Sequence, residues 1–211
     1  MKLPIRLIAV ALPLLLAACV HKETVRPPAP KADFAALLDQ QRAREHLLAK
    51  TDHWVLQGKI GVSGPVNGKS EGGSGTLIWT QNGNSYDFVV RGPVGSKSFR
   101  LSVTPDGALL EGLDGGPQRG QDPETLVENA LGWHLPFRDL RAWVLGLRSE
   151  AGPADFKFGD DGLPLQMVQG GWTVSYPAWD TTREPAVPSK VFAENPPYKV
   201  RLSVESWNIQ Q

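Results

Sequence analysis

Apolar residues return at every second position over much of this chain, which is the period of a half-buried β-strand. Trp54, Leu56, Gly58, Ile60 and Val62 share one face, and Leu77 and Trp79, then Tyr86, Phe88 and Val90, then Phe99, Leu101 and Val103 repeat the pattern. The stretches between them (GPVNGKSEGGSG, QNGNS, RGPVGSK, TPDG) carry the Gly, Asn and Pro of hairpin connections, and Gly72-Gly73-Ser74-Gly75 reads as a flexible hairpin loop. Strands resume at Phe156 and Phe158, Leu165 and Met167, and Trp172, Val174 and Tyr176, then close with Val200, Leu202 and Val204 running towards Trp207 and Ile209.

Three stretches switch to helical spacing. Asp33 opens a helix with Phe34, Leu37, Leu38, Leu47 and Leu48 on one stripe, ending near Lys50. Asp122 is placed to cap a second, Pro123 suits its first position, Leu126, Val127, Ala130 and Leu131 make its face, and Gly132 ends it. A third follows, with Phe137, Leu140, Trp143 and Val144 as its stripe and Gly146 as its C-terminal cap. The fold class predicted is α+β, mainly β: an antiparallel meander that hides its edges by curling into a barrel or half-barrel with the helices on the concave side. Alternation alone leaves open whether side chains fill the enclosed space, the commoner case, or a ligand does.

The first residues change the picture. Lys2 and Arg6 precede an apolar run from Leu7 to Leu16, and small residues lead into Cys19, the only cysteine. The run has the length of a signal peptide and is too short to span a bilayer. Leu16-Ala17-Ala18-Cys19 resembles the lipobox, in which the thiol is lipidated and the bond before it is cut. That expectation also removes the oddity of an unpaired thiol in an oxidising compartment. Lipidation there implies more than one acyl chain, which stable anchoring requires. Val20, where an aspartate would retain the protein at the inner membrane, favours the outer membrane. Residues 1–18 are thus expected to be a signal peptide, 19–32 a lipidated N-terminus with a proline-rich extended tether, and 33–211 a single domain.

Charge and chemistry narrow the function by exclusion. The 22 basic and 22 acidic residues balance, and no basic stripe points to nucleic acid. His21, His46, His53 and His134 have no metal-ligand spacing, no nucleophile is paired with a base, and Asp160-Asp161-Gly162 reads as a turn. Neither catalysis, nor a metal, nor a cofactor is expected. The 7 tryptophans are many beside 7 phenylalanines and 3 tyrosines; most fall on inward faces, where they serve either as core or as the lining of a wide apolar site. In Arg91-Gly92-Pro93-Val94-Gly95-Ser96-Lys97 an apolar Val94 is presented between chain-breaking residues.

Several of these pieces fall in one order: the lipobox, GKIGV at 58–62, LIWTQ at 77–81, GPVGS at 92–96, LGWHLPFRDLRAWVLGL at 131–147, GWTVSYPAWD, AVPSKV and VRLSVESWNI. In this the chain resembles LolB, the family of outer-membrane lipoprotein receptors of the lipoprotein-localisation pathway, over essentially the whole mature domain. The resemblance implies a half-open barrel under about three helices, with a hydrophobic cavity that takes the acyl chains of cargo lipoproteins from the periplasmic carrier LolA. Cargo would then pass to the inner leaflet of the outer membrane. It implies too that the loop Gly92, Pro93, Val94, Gly95 meets membrane lipid through Val94, where the family often has leucine. From the period-two faces the expected cavity lining is Ile60, Val62, Leu77, Trp79, Tyr86, Phe88, Val90, Leu101 and Trp172, with Trp133 and Trp143 from the helices. The chain is expected to act as a monomer. An envelope lipoprotein that binds another hydrophobic ligand, or a structural one with a solid core, would show the same alternation.

Overall fold

The computed structural model describes residues 26–66, 69–93 and 98–210. Its strands are β1 (His53–Val66), β2 (Lys69–Asn82), β3 (Ser85–Arg91), β4 (Phe99–Thr104), β5 (Gly107–Glu111), β6 (Gln118–Gly120), β7 (Asp155–Phe158), β8 (Pro164–Gln169), β9 (Trp172–Asp180), β10 (Val187–Asn195) and β11 (Tyr198–Ile209). They form one 11-stranded antiparallel sheet in the order β6-β5-β4-β3-β2-β1-β11-β10-β9-β8-β7. The sheet does not close, because β6 and β7 remain its two edges. The single stretch of chain joining those edges carries α2 (Pro123–Leu131) and α3 (Phe137–Trp143), so connectivity alone brings these helices across the open side. Helix α1 (Phe34–Leu48) precedes β1.

Cross-strand register builds the inner face in rows. Leu56 lies opposite Trp79, Trp79 opposite Phe88, Phe88 opposite Leu101 and Leu101 opposite Leu110. All five are essentially without solvent exposure. Each such side chain contributes about 1.5–3 kcal/mol by leaving water, which is why a curled sheet with this inner face must be covered. The register also defines two ends. The lower end holds the starts of β1 and β3 and the turns after β2 and β7; the upper end holds the end of β3 at Arg91 and the start of β4 at Phe99.

The Gly72–Gly75 segment departs from the loop expected of it. It is strand β2, paired residue for residue with Ser63 to Ile60 of β1. Glycine is needed there for closeness, not for a turn: a methyl group on Gly73 would run into the Trp133 ring, and one on Gly64 would stand 2.6 Å from the Tyr198 ring. Three strands escaped the alternation pattern. β5 and β6 are short, and β10 has register shifts on both sides of Lys190, which break its period around Pro188.

The α2 caps are those the sequence announces: the Asp122 carboxylate accepts from Thr125 N at 2.9 Å, and Gly132 takes a left-handed conformation at the other end. Helix α1 differs from expectation. Its buried positions are Leu37, Gln41, Arg44 and Leu48, while Phe34 and Leu47 are exposed. The face that docks is therefore half polar. Arg44 donates from Nη1 to Gly146 O at 2.9 Å and from Nε to Ala186 O at 3.1 Å, and its Nη2 also reaches Leu145 O. Its guanidinium lies 4.7 Å from the Trp179 ring centre. Burial lowers its pKa to about 10, against the pull of Tyr176 and Glu45, so it stays charged at neutral pH. Gln41 donates to Gly146 O at 2.9 Å, and Glu45 pairs with Arg148. Arg44 and Gln41 thus hold carbonyls of the turn after α3, at Leu145 and Gly146, and of Ala186 before β10, while the last carbonyls of α3 itself accept from the backbone N–H groups of residues 144–147.

A second polar hub sits behind α3. The buried Gln169 amide accepts from Trp143 Nε1 at 3.0 Å and Ser149 N at 2.9 Å, and donates to Ser149 O at 3.0 Å and Gly152 O at 2.7 Å. The expected tether also has a structured end: Arg26 pairs with Asp161 and donates to Pro164 O and Tyr176 O, and Ala29 N donates to Phe158 O. Asp161 belongs to the turn expected of it, accepting from Leu163 N at 3.1 Å.

Two outcomes follow for stability. Gln169→Leu strands the Trp143 and Ser149 donors in an apolar site and should cost about 3 kcal/mol in urea unfolding. For Glu45, burial raises the pKa, but hydrogen bonds from Arg148 and Gln41 outweigh it, and the net value falls below the ordinary 4.5. Its contribution is thus present above pH 4.5 and is lost as pH falls through the folded value. Denaturant titrations at stepped pH should show a steeper acid loss for the natural chain than for Glu45→Gln; parallel curves would contradict this.

Candidate functional site

The inner face of the sheet and the helices laid on it make the candidate site. Ile60, Val62, Leu77, Trp79, Phe88, Val90, Leu101, Trp143 and Trp172 are all buried, and Tyr86 and Trp133 are partly buried. They belong to one apolar cluster; the strand residues among them lie on the faces that the period of two assigned, and Trp143 is on α3, but Trp133 lies in the connection between α2 and α3 and not in a helix as expected.

Helix α3 fills the middle of this site. At its start Phe137 packs on Phe88 with ring centres 5.1 Å apart, and stands 5.9 Å from Tyr86 and 6.5 Å from Trp79. Leu140 is fully buried, and Trp143 at the far end lies 5.9 Å from Trp172 on β9. The helix thus spans the opening from the β2–β3 side to the β8–β9 side. Trp133, just before it, meets Phe99 at 5.5 Å near the upper end. Phe137 and Leu140 were not among the lining residues expected, although their helical stripe is plain in the sequence.

At the lower end a groove of about 630 Å³ opens beside α3. Leu48, Tyr86 and Phe137 lie in its wall, with Arg138, Arg141 and Glu124 among its polar lining. Phe137, itself 2% exposed, separates this groove from the apolar interior. Burial raises the Tyr86 pKa far above its ordinary value, helped by Glu124 and Asp122, so the phenol keeps its proton. Burial likewise raises the Glu124 pKa.

The tryptophans divide by their N–H groups. Trp143, Trp179 and Trp207 donate to Gln169 Oε1, Pro164 O and Pro188 O at 3.0, 3.0 and 3.1 Å. The indole nitrogens of Trp54 and Trp79 are buried without a hydrogen-bonding partner among the described residues. Sequence reasoning passed over Gln81, which is buried on the inward face of β2; a polar residue in the parity of Leu77 and Trp79 was the signal. Of the loop expected to meet lipid, Gly92 and Pro93 are described, with Gly92 N donating to Ser98 Oγ at 3.1 Å. Val94 and Gly95, like Leu16, Ala17, Ala18 and Cys19, lie outside the described residues.

The sequence has relatives among known proteins. Residues 52–207 match the family model described as outer membrane lipoprotein LolB. The outer-membrane lipoprotein LolB of Xanthomonas oryzae pv. oryzae is 33% identical over 207 residues, covering 92% of this chain and 91% of its own. That of Xanthomonas campestris pv. campestris is 35% identical over 174 residues, covering 80% and 78%, and that of Pseudomonas putida is 32% identical, covering 82% of each chain. With the family model matched across nearly the whole sheet, the chain belongs to the LolB family of outer-membrane lipoproteins.

Proposed function

We propose that this chain, acting as a monomer anchored through Cys19, accepts lipoproteins from the periplasmic carrier LolA and inserts them into the inner leaflet of the outer membrane, holding their acyl chains against the inner face of the sheet. The observation that carries the reading is an open sheet whose continuous apolar face is covered by a short helix instead of by a second sheet. An acyl chain of about 14 methylenes resists water by roughly 11 kcal/mol at about 0.8 kcal/mol per methylene, so cargo crosses the periplasm only when shielded.

In the state described, the buried face of α3 (Phe137, Leu140 and Trp143) occupies the place the chains would take. Acceptance then exchanges protein side chains for acyl chains over the same apolar surface. Because each exposes little that the other does not cover, the exchange needs no outside energy source. Val94, three residues after the end of β3 in the sequence, would meet lipid when cargo is released.

The test uses the mature chain with Cys19→Ala, mixed with LolA loaded with a labelled lipoprotein, with and without outer-membrane vesicles. Label should move to this protein, and Val94→Glu should accept label yet deliver at least tenfold less to vesicles, since burying a charge in lipid is costly. No movement of label, under conditions where another LolB succeeds, would sink the proposal.

A further inference from the structure

Of the six buried side-chain polar atoms without a partner among the described residues, four lie together: Trp54 Nε1, Trp79 Nε1, Gln81 Oε1 and Tyr86 OH. Register explains the clustering. Trp54 is opposite Gln81 across β1 and β2, and Gln81 is opposite Tyr86 across β2 and β3, so the three form one row at the lower end of the inner face. Trp79 occupies the next row, with its ring centre 5.2 Å from Trp54 and 6.0 Å from Tyr86. Trp54, Trp79 and Gln81 are each at most 2% exposed.

Buried polar groups are normally satisfied, and each one left alone is costly. The same protein satisfies the indoles of Trp143, Trp179 and Trp207, which makes the lower row an exception within its own core. Its composition is specific. An indole N–H only donates; the Tyr86 phenol donates and accepts, and keeps its proton; the Gln81 carbonyl only accepts, its amide nitrogen being already engaged with Gly83 O at 2.8 Å and Ser85 O at 3.2 Å. The complement is a group with carbonyl oxygens and an N–H, attached to long apolar chains.

We propose that this row is the polar subsite for the acyl linkages of cargo, binding the carbonyls and amide of an acylated N-terminal cysteine while its chains run into the interior. The inference rests on the reading of the inner face as an acyl-chain site. The groove at Phe137 adjoins the row through Tyr86, which leaves the peptide part of the cargo in solvent. The chains would extend from Tyr86 along β3 towards Arg91, about 17 Å at 3.3 Å per residue, and so point at the end where Phe99 and Trp133 meet. Cargo held this way leaves with its methyl ends first.

The probes are a synthetic triacylated cysteinyl lipopeptide and its counterpart of equal chain length with ether and N-alkyl links, which lacks those carbonyls. Each displaces a hydrophobic dye from the mature Cys19→Ala chain. Binding of the ether form reports the apolar site alone; the ratio of the two affinities reports the row. The acyl form should bind at least tenfold more tightly, and Tyr86→Phe and Trp54→Phe should each cut that ratio by about fivefold. Equal affinities, or a ratio that survives the double substitution, would overturn the subsite while leaving the apolar site standing. Failure of both probes to bind would remove the apolar site and the subsite together. A second measurement needs no variant. Lipopeptides with a photoreactive group beside the carbonyl should label the natural side chains near Trp54 and Tyr86, and those with the group at the chain end should label near Phe99 and Trp133; the reverse map would overturn the subsite.

Discussion

An antiparallel sheet that curls without closing has an inner face that must leave water and no second sheet to cover it. Here the cover is supplied by connectivity: the edges β6 and β7 are joined by one stretch, and whatever that stretch carries is drawn across the opening. The short α2 and α3 are therefore held less by their own propensity than by what they bury. Phe137, Leu140 and Trp143 give α3 its apolar grip.

The polar contacts at the helix ends are of another kind. Arg44 and Gln41 bond to backbone carbonyls of residues 145, 146 and 186, and Gln169 bonds to the backbone of Ser149 and Gly152. Such contacts are directional and fail together when α3 shifts, whereas the apolar contacts tolerate sliding. A helix with an apolar face and a C-terminal end pinned in this way is fixed in register there, while its apolar start at Phe137 rests on ring contacts.

Much of this could be read from the order of residues. A period of two found β1, β3, β4, β9 and β11 and the inward face of each, because a residue such as Phe88 or Leu101 has only two directions to point. It failed where geometry is set by partners in space. β10 is bent by bulges around Pro188 and Lys190, and the glycines of β2 look like a loop until Trp133 is seen lying on Gly73. The α1 face was misjudged for the opposite reason: Leu47 is left in solvent and Phe34 gains only an edge contact with Phe158, while Arg44 buries its length because three carbonyls await its tip. The buried, inward positions were legible; the unpartnered polar row was not, because Gln81 acquires meaning only between Trp54 and Tyr86.

The docking of Arg26 on the turn after β7 shortens the tether expected of residues 19–32. Fourteen residues can span about 50 Å at 3.6 Å per residue, and the seven that precede Arg26 about 25 Å. That turn is at the lower end of the sheet, opposite the end where β3 stops at Arg91. The strap from Arg26 to Ala29 is fastened there by backbone as well as by the arginine, with Asp160 N donating to Pro27 O and Ala29 N to Phe158 O, so a pull on the chain before Arg26 is received by the edge strand β7 and not by helix α1.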